Sequence, residues 1–527
     1  MTVPKTARLF IILAASSTLL SACGVNPVTG KKEIQFVSES QELQIGEKNY
    51  SPTRQGEGGD LTVLPELTTY VNGVGQKLAA VSDRKLPYEF VVLNNSVPNA
   101  WALPGGKIAV NRGLLTELRN EAELAAVLGH EIVHAAARHG AKAQERGTMM
   151  QVGMAAAQVG AAVGGLDANL ANLALQGAGT GLQMIQMKYG RDQELESDQY
   201  GMKYMKLAGY DLSGAVTLQE TFVRLSEAGG RKQQSWMEGL FASHPPSQER
   251  VDKNRKTASE MGSGGELGAE SFAAATKKLR EMKPAYDKYD QAMAAAQKKD
   301  FATAKSLAGE AAKAIPNEGS FQVLLGQIAL AEKQPQAAAT HFDKAMQLSP
   351  NYFAPYLGAG VAQTQLGNKD KAEQYLTRSA QLLPTAPAAY HLGNIARDRG
   401  DTETARQYYQ AAASSQSSVG QAAAAEFMKM DLPKNPGNYV AAGGQFDSQG
   451  QLMVVVQNRS QVALQGIQVT PVLVDAAGRV VQQGNPVVIQ AVVKPGEQAA
   501  APSGVANVPQ EQLQALRFRV DAAKIAE

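Results

Sequence analysis

The sequence predicts a multidomain protein: an α+β domain first, an all-α repeat array second, and a C-terminal all-β, sandwich-like domain last. Three observations carry this. A histidine-bearing apolar stretch, "GHEIVHAAARHG" (Gly129–Gly140), lies between short strand-like runs and a later acidic helix. Pro316, Pro350 and Pro384 recur at intervals of 34 residues. After Pro433 come Val-rich runs broken by Asn, Gly and Pro. At 527 residues the chain is too long for one domain. A net charge of +2 gives no basis for a nucleic-acid partner or a strongly charged substrate. A hydrophobic content of 44% is ordinary for a chain with real cores.

The amino terminus, "MTVPKTARLFIILAASSTLLSAC", sets Lys5 and Arg8 before an apolar stretch too short for a comfortable membrane span. It reads as an export signal. Its end, Leu20-Ser21-Ala22-Cys23, resembles the bacterial lipobox. That resemblance implies a signal peptide over 1–22 and lipid modification of Cys23. Gly24, where inner-membrane retention would prefer Asp, points to the outer membrane. Several buried acyl chains hold firmly, since each CH₂ contributes about 0.8 kcal/mol. Cys23 is the single cysteine, so lipid there leaves no disulfide, thiolate ligand or cysteine nucleophile.

Residues 24–64 read as a polar tether followed by a helix around Ser38–Lys48. Leu67, Tyr70, Val71, Val74 and Leu78 have helical spacing over Pro65–Ala80. Tyr88–Asn95 reads as a strand, and Pro104–Val110 as a turn into a second. Two helices follow. Thr116 or Asn120 caps the second, and Gly140 is placed to end it. The Met- and Gly-rich insert over 149–190 reads as two amphipathic helices that either pack the core or face membrane or substrate. Its polar residues interrupt any run of about 18 apolar ones. "GSGGELGAES" marks a linker, drawn over 262–282.

In the repeat region, 283–417, Gly326 aligns with Gly360, Ala304 with Ala338 and Ala372, and Phe342 with Leu376. A 34-residue period with small residues at helix crossings fits the tetratricopeptide helix pair. A fourth unit, around Tyr390–Ala412, fits with a one-residue slip. Residues 434–527 form the β-rich domain.

His130, Glu131 and His134 form H-E-x-x-H. Four residues apart on a helix, both imidazoles reach one Zn²⁺. Glu131 stands beside the first of them, where it can take a proton from an activated water. The apolar flanks bury this helix, and buried histidines need partners. His139, nine steps of about 100° beyond His130, falls on the opposite face of a continued helix. It is therefore read as a C-terminal dipole partner and not as a ligand. The third ligand comes from "ELESD". On a helix Glu194 and Asp198 share a face while Glu196 points elsewhere, so Glu194 is the ligand and Asp198 fixes an imidazole tautomer. His244, stiffened by Pro245-Pro246, either donates to a developing oxyanion or fills the fourth zinc position and closes the site.

"HEIVH", "ELESD", "NAWALPGGKIAVNRGLL" and "HPPSQER" together resemble the periplasmic zinc metallopeptidases of the BepA type, relatives of HtpX and the CAAX prenyl proteases. The resemblance spans roughly residues 23–260; the metallopeptidase domain is drawn over 23–261, and the C-terminal β region departs from the pattern. It implies a gluzincin fold with one zinc per chain on His130, His134 and Glu194. Glu131 is then the base and Asp198 the supporting acid, with His244 and Arg250 as active-site residues. It also implies that Lys107, Ile108, Ala109 and Val110, with Asn99 just before them, form an edge strand that captures an extended substrate. The implied partners are unfolded or misfolded envelope proteins as substrate, an outer-membrane assembly complex reached through the repeats, and the membrane through the lipid.

Overall fold

The computed structural model describes residues 23–143, 145, 189–227, 237, 239–506 and 510–526. The leader over 1–22 and residues 149–188 of the insert lie outside the described residues. The chain forms two compact units, Met1–Leu366 and Gly367–Glu527. Their border falls between two helices of the repeat array. Among the described residues no helix is long and apolar enough to cross a membrane.

The first unit opens with a hairpin where a tether was expected. β1 (Cys23–Val25) pairs antiparallel with β2 (Lys32–Ile34). Asn26 closes its turn by accepting from the amides of Val28 and Thr29. Helix α1 (Glu39–Gly56) begins at Ser38, whose hydroxyl accepts from the Gln41 amide in a capping box. It is fastened by Glu42, fully buried between Arg84 at 2.9 Å and Arg138 at 3.0 Å. Helix α2 (Pro65–Ala79) buries Leu67, Val71, Val74 and Leu78, the stripe its spacing predicts.

The sheet corrects the reading of the substrate strand. β3 (Glu89–Leu93), β4 (Ala100–Leu103) and β5 (Lys107–Asn111) lie in the order β3-β5-β4. β5 is parallel to β3 and antiparallel to β4. Lys107, Ile108, Ala109 and Val110 therefore occupy the central strand, with both sides paired. Of the two terminal strands, β3 is bridged on its outer side by Asp60 at Leu93, and β4, "AWAL", is too short and too uniformly buried to show the alternation that marks a strand. Gly105 and Gly106 join β4 to β5 at φ 80° and 83°, as a tight hairpin requires.

After α3 (Arg112–Leu115), helix α4 (Glu121–Ala136) starts at Asn120, whose side chain accepts from the Glu123 amide. It stops at Ala136, with Ala137 as its cap. Arg138 is left-handed at φ 63°, so Arg138 and not Gly140 ends the helix. Helix α5 (Arg191–Leu207) lies against α4 at a glycine contact. A Cβ on Gly201 would stand 3.0 Å from the His130 amide nitrogen, and one on Gly129 would stand 3.1 Å from the Gly201 carbonyl. Helices α6 (Ser213–Glu227), α7 (Leu240–Ser243) and α8 (Gln248–Met261) complete this region.

The expected linker over 262–282 is only a short turn, and its end is bonded to the domain. Glu266 exchanges backbone bonds with Gly209 and Asp211, and the Ala122 amide donates to Leu267. Helix α9 then runs unbroken from Ala269 to Gln297. Its first half buries Phe272 and Leu279 in the core that also holds Leu128 and Ile132. Its second half is the first helix of the repeats, paired with α10 (Phe301–Ala314). α11 (Gly319–Ala331), α12 (Pro335–Leu348) and α13 (Phe353–Gln365) follow. Within this unit Ser96 donates to Asp290 and Asn94 to Glu318, while Arg112 lies over the Tyr286 ring at 3.5 Å. Gly326 gives room to Phe342, whose ring would meet a Cβ there at 2.7 Å.

In the second unit α14 (Lys369–Leu382), α15 (Ala386–Asp398), α16 (Thr402–Ala413) and α17 (Ser418–Asp431) continue the helical pattern. Gly393 faces Tyr409 as Gly326 faces Phe342. Two antiparallel sheets follow. β6 (Val440–Phe446) pairs with β7 (Gln451–Asn458), and β8 (Leu464–Val474) pairs with β9 (Val480–Gln483) and β10 (Val487–Ile489). β11 (Gln498–Ala506) joins β7, and β12 (Leu516–Ile525) joins β8. Val454, Val456, Ile467, Val469 and Ile489 share one core, as a sandwich requires.

Candidate metal centre

Two crossing helices and one stiff loop bring the site together. α4 supplies His130, Glu131 and His134, and α5 supplies Glu194 and Asp198. The turn after α7 supplies His244, and the first turn of α8 supplies Arg250, whose amide donates to the Ser247 cap. All seven side chains are buried. One donor atom each from His130, His134, Glu194 and His244 lies within 4.8 Å of the others.

The separations fit a tetrahedral ion. His130 Nε2 is 3.0 Å from His134 Nε2 and 3.2 Å from His244 Nδ1. Glu194 Oε1 is 3.1 Å from His244 Nδ1 and 3.5 Å from His134 Nε2. Zinc bonds of about 2.0–2.1 Å set ligand atoms about 3.3 Å apart, so three nitrogens and a carboxylate oxygen here match a zinc donor set. Glu131 also fits: its Oε2 is buried with no hydrogen-bond partner, as an atom reserved for a reacting water would be.

Electrostatics sort the groups. Burial opposes a charged His130, but the Glu194 and Asp198 carboxylates outweigh it and hold the imidazole up at about 9. Burial drives His134 well below its ordinary value, so it is neutral. Burial likewise raises the Glu131 carboxyl, against the pull of His244 and His130. Glu194, despite burial, is held well below the usual range by His244, Arg250 and His130.

The expected ligands His130, His134 and Glu194 converge, and Asp198 accepts from His130 Nδ1 at 2.9 Å. Arg250, expected as an active-site residue, is engaged by the acids. Its guanidinium is taken up by Asp198 at two distances of 2.7 Å, by Glu194 at 2.8 Å and by the Pro245 carbonyl. It braces the two acids and has no fork left for substrate. His244 faces the donor cluster through Nδ1, while its Nε2 lies 3.5 Å from Glu131 Oε1.

His139 does not face away. Because the helix ends at Ala136, His139 turns back and sets Nδ1 3.0 Å from His134 Nδ1. Burial lowers its pKa, so it is not the dipole-balancing cation expected of it. Sequence reasoning also missed Tyr189, whose ring lies 3.9 Å from that of His134. It stands five residues before Glu194 in the stretch "YGRDQELESD", and its position next to the ligand helix was the available signal. An apolar pocket lined by Val127, Met202, Leu218, Phe222 and Leu240 opens beside Glu131 and His244.

The comparisons with known proteins agree with this geometry. The model described as peptidase family M48 matches residues 65–258. Tetratricopeptide repeat models match 289–353, 329–395 and 386–418. The chain is 30% identical over 196 residues to a "Putative beta-barrel assembly-enhancing protease" of Vibrio cholerae, covering 37% of this chain and 40% of that one. It is 28% identical over 239 residues to the "Beta-barrel assembly-enhancing protease" of Escherichia coli, covering 45% and 47%. It is 33% identical over 234 residues to the "Mitochondrial metalloendopeptidase OMA1" of Schizosaccharomyces pombe, covering 43% and 64%. The matches thus span from 40% to 64% of these relatives' own lengths. The chain carries a peptidase family M48 domain over residues 65–258, followed by tetratricopeptide repeats.

Proposed function

We propose that the chain is a zinc-dependent endopeptidase of the bacterial envelope, with one zinc held by His130, His134 and Glu194. The carrying observation is the buried convergence of those donors beside an unpartnered Glu131 oxygen. When bound there, zinc supplies Lewis acidity toward a scissile carbonyl and lowers the pKa of a water. Glu131 accepts the proton of that water and passes it to the leaving amine. Asp198 and Arg250 hold the ligands still. An extended substrate pairs with β4, a terminal strand of the sheet, with Asn99 at its start. The leader and Cys23 anchor the protein by lipid, with the outer membrane favoured over the inner. Misfolded or stalled outer-membrane proteins are the substrate class, which the names of the relatives support. The repeats offer a surface to an outer-membrane assembly complex.

A specific observation favours a second reading, a protease kept closed that serves mainly in assembly. His244 Nδ1 stands at the fourth ligand position, and its Nε2 lies 3.5 Å from Glu131 Oε1. With His244 there, the fourth position is filled and an imidazole stands beside the base. Replacing His244 by Ala should raise cleavage of an unfolded β-barrel substrate, while Glu131→Gln should abolish it. Unchanged or lower cleavage by His244→Ala would remove the closed state. If Glu131→Gln restores all function to cells lacking the protein, proteolysis is not its main task.

A further inference from the structure

We propose that His139 is a positioning residue of the metal centre: it fixes the tautomer of His134, and Glu196, seated by the amino-terminal hairpin, fixes His139. The inference rests on zinc binding at His130, His134 and Glu194.

His139 is 1% exposed, and both its ring nitrogens are engaged. Nδ1 meets His134 Nδ1 at 3.0 Å and Nε2 meets Glu196 Oε1 at 3.2 Å. Two facing ring nitrogens bond only if one carries the proton. A carboxylate only accepts, so Glu196 draws the His139 proton to Nε2. His139 Nδ1 is then an acceptor, and the shared proton belongs to His134 Nδ1. His134 is left with Nε2 bare, and that is the atom facing the other donors. The direction of the whole chain follows from the acid at its end.

The geometry depends on one backbone choice. In an unbroken helix residue 139 would lie about 140° around the axis from residue 134. The left-handed Arg138 breaks that path, and its side chain is clamped by Glu42 and the Val37 carbonyl. Glu196 is held in turn by Asn26, at 3.4 Å and itself 1% exposed. Lys142 ties the same hairpin down through Glu33 at 2.7 Å. The two imidazole ligands are thus supported unequally: His130 by an acid directly, His134 by an acid through a second imidazole.

The test uses the metal-free full chain titrated with zinc against a chelator, and with cobalt for its visible spectrum. His139→Phe keeps the shape and removes the acceptor. It should weaken metal binding about 10–100-fold and shift the cobalt bands. His139→Asn, whose Oδ1 can stand near the lost Nδ1, should recover most of the affinity and the spectrum. Unchanged binding and spectrum in His139→Phe, or an equal loss in both variants, would overturn the proposal. If His139→Phe does not fold, ¹⁵N-histidine spectra of the zinc-loaded wild type decide. A proton on His134 Nδ1 and on His139 Nε2 supports it, and the opposite tautomers overturn it. Failure of the wild type to bind either metal would instead sink the zinc-site reading itself.

Discussion

Around the metal centre the helices are held in register by buried charge. Asp198, Glu194 and Arg250 form one network, and Glu42, Arg84 and Arg138 form another. In the repeats the corresponding work falls to shape: Gly326 receives Phe342 and Gly393 receives Tyr409. Charge networks specify direction and protonation as well as distance, which a metal site needs. Small-against-large apolar contacts specify distance alone, and a scaffold needs no more.

The contrast can be broken at its strongest point first. Asp198→Ala leaves Arg250 buried with Glu194 as its one carboxylate beside the Pro245 carbonyl, and should lower the stability of the metal-free protein by about 3 kcal/mol in a denaturant titration. A loss below about 1 kcal/mol would mean that the network is no more than solvated charge.

The second effect is pH dependence. The metal-free His130 pKa, about 9, lies above its ordinary 6.5. The stability it lends is therefore complete below about pH 6.5 and is lost as pH rises through about 9. Zinc, if it takes the proposed site, would displace that proton, so its apparent affinity should rise roughly tenfold per pH unit across the same window. Calorimetry in buffers of different ionisation enthalpy should count about one proton released. A pH-independent affinity would contradict this.

In the repeats the effects should be smaller and purely steric. Gly326→Ala gains about 1 kcal/mol of helix propensity, but its Cβ meets Phe342 at 2.7 Å, which costs about 1–3 kcal/mol. A net loss of about 1 kcal/mol is expected. Gly309→Ala, on a helix with nothing within 4 Å of the new Cβ, should gain about 0.5–1 kcal/mol. Equal responses at the two glycines would erase the distinction between packed and open positions.

Spacing made much of this legible. His130, His134, Glu194 and Asp198 could be placed because helix periodicity decides which residues share a face, and the 34-residue prolines do fall between helix pairs. What escaped depended on single backbone choices or on tertiary pairing. Arg138 is an unusual residue for a left-handed position, so the fold-back of His139 had no local sign. The strand "AWAL" is buried on both faces and shows no alternation. The bracing role of Arg250 follows from carboxylates more than fifty residues away.

Helix α9 has a mechanical consequence. It is a single rod of 29 residues, with one end set in the core beneath the metal helix and the other forming the first turn of the repeat spiral. Any pull on α10–α13 acts on that rod as on a lever whose pivot lies inside the peptidase domain. Cutting the chain before this helix to free the repeats would expose Phe272 and Leu279 and leave a hole where they sat, so the core beneath the metal helix is completed by the helix that begins the repeats.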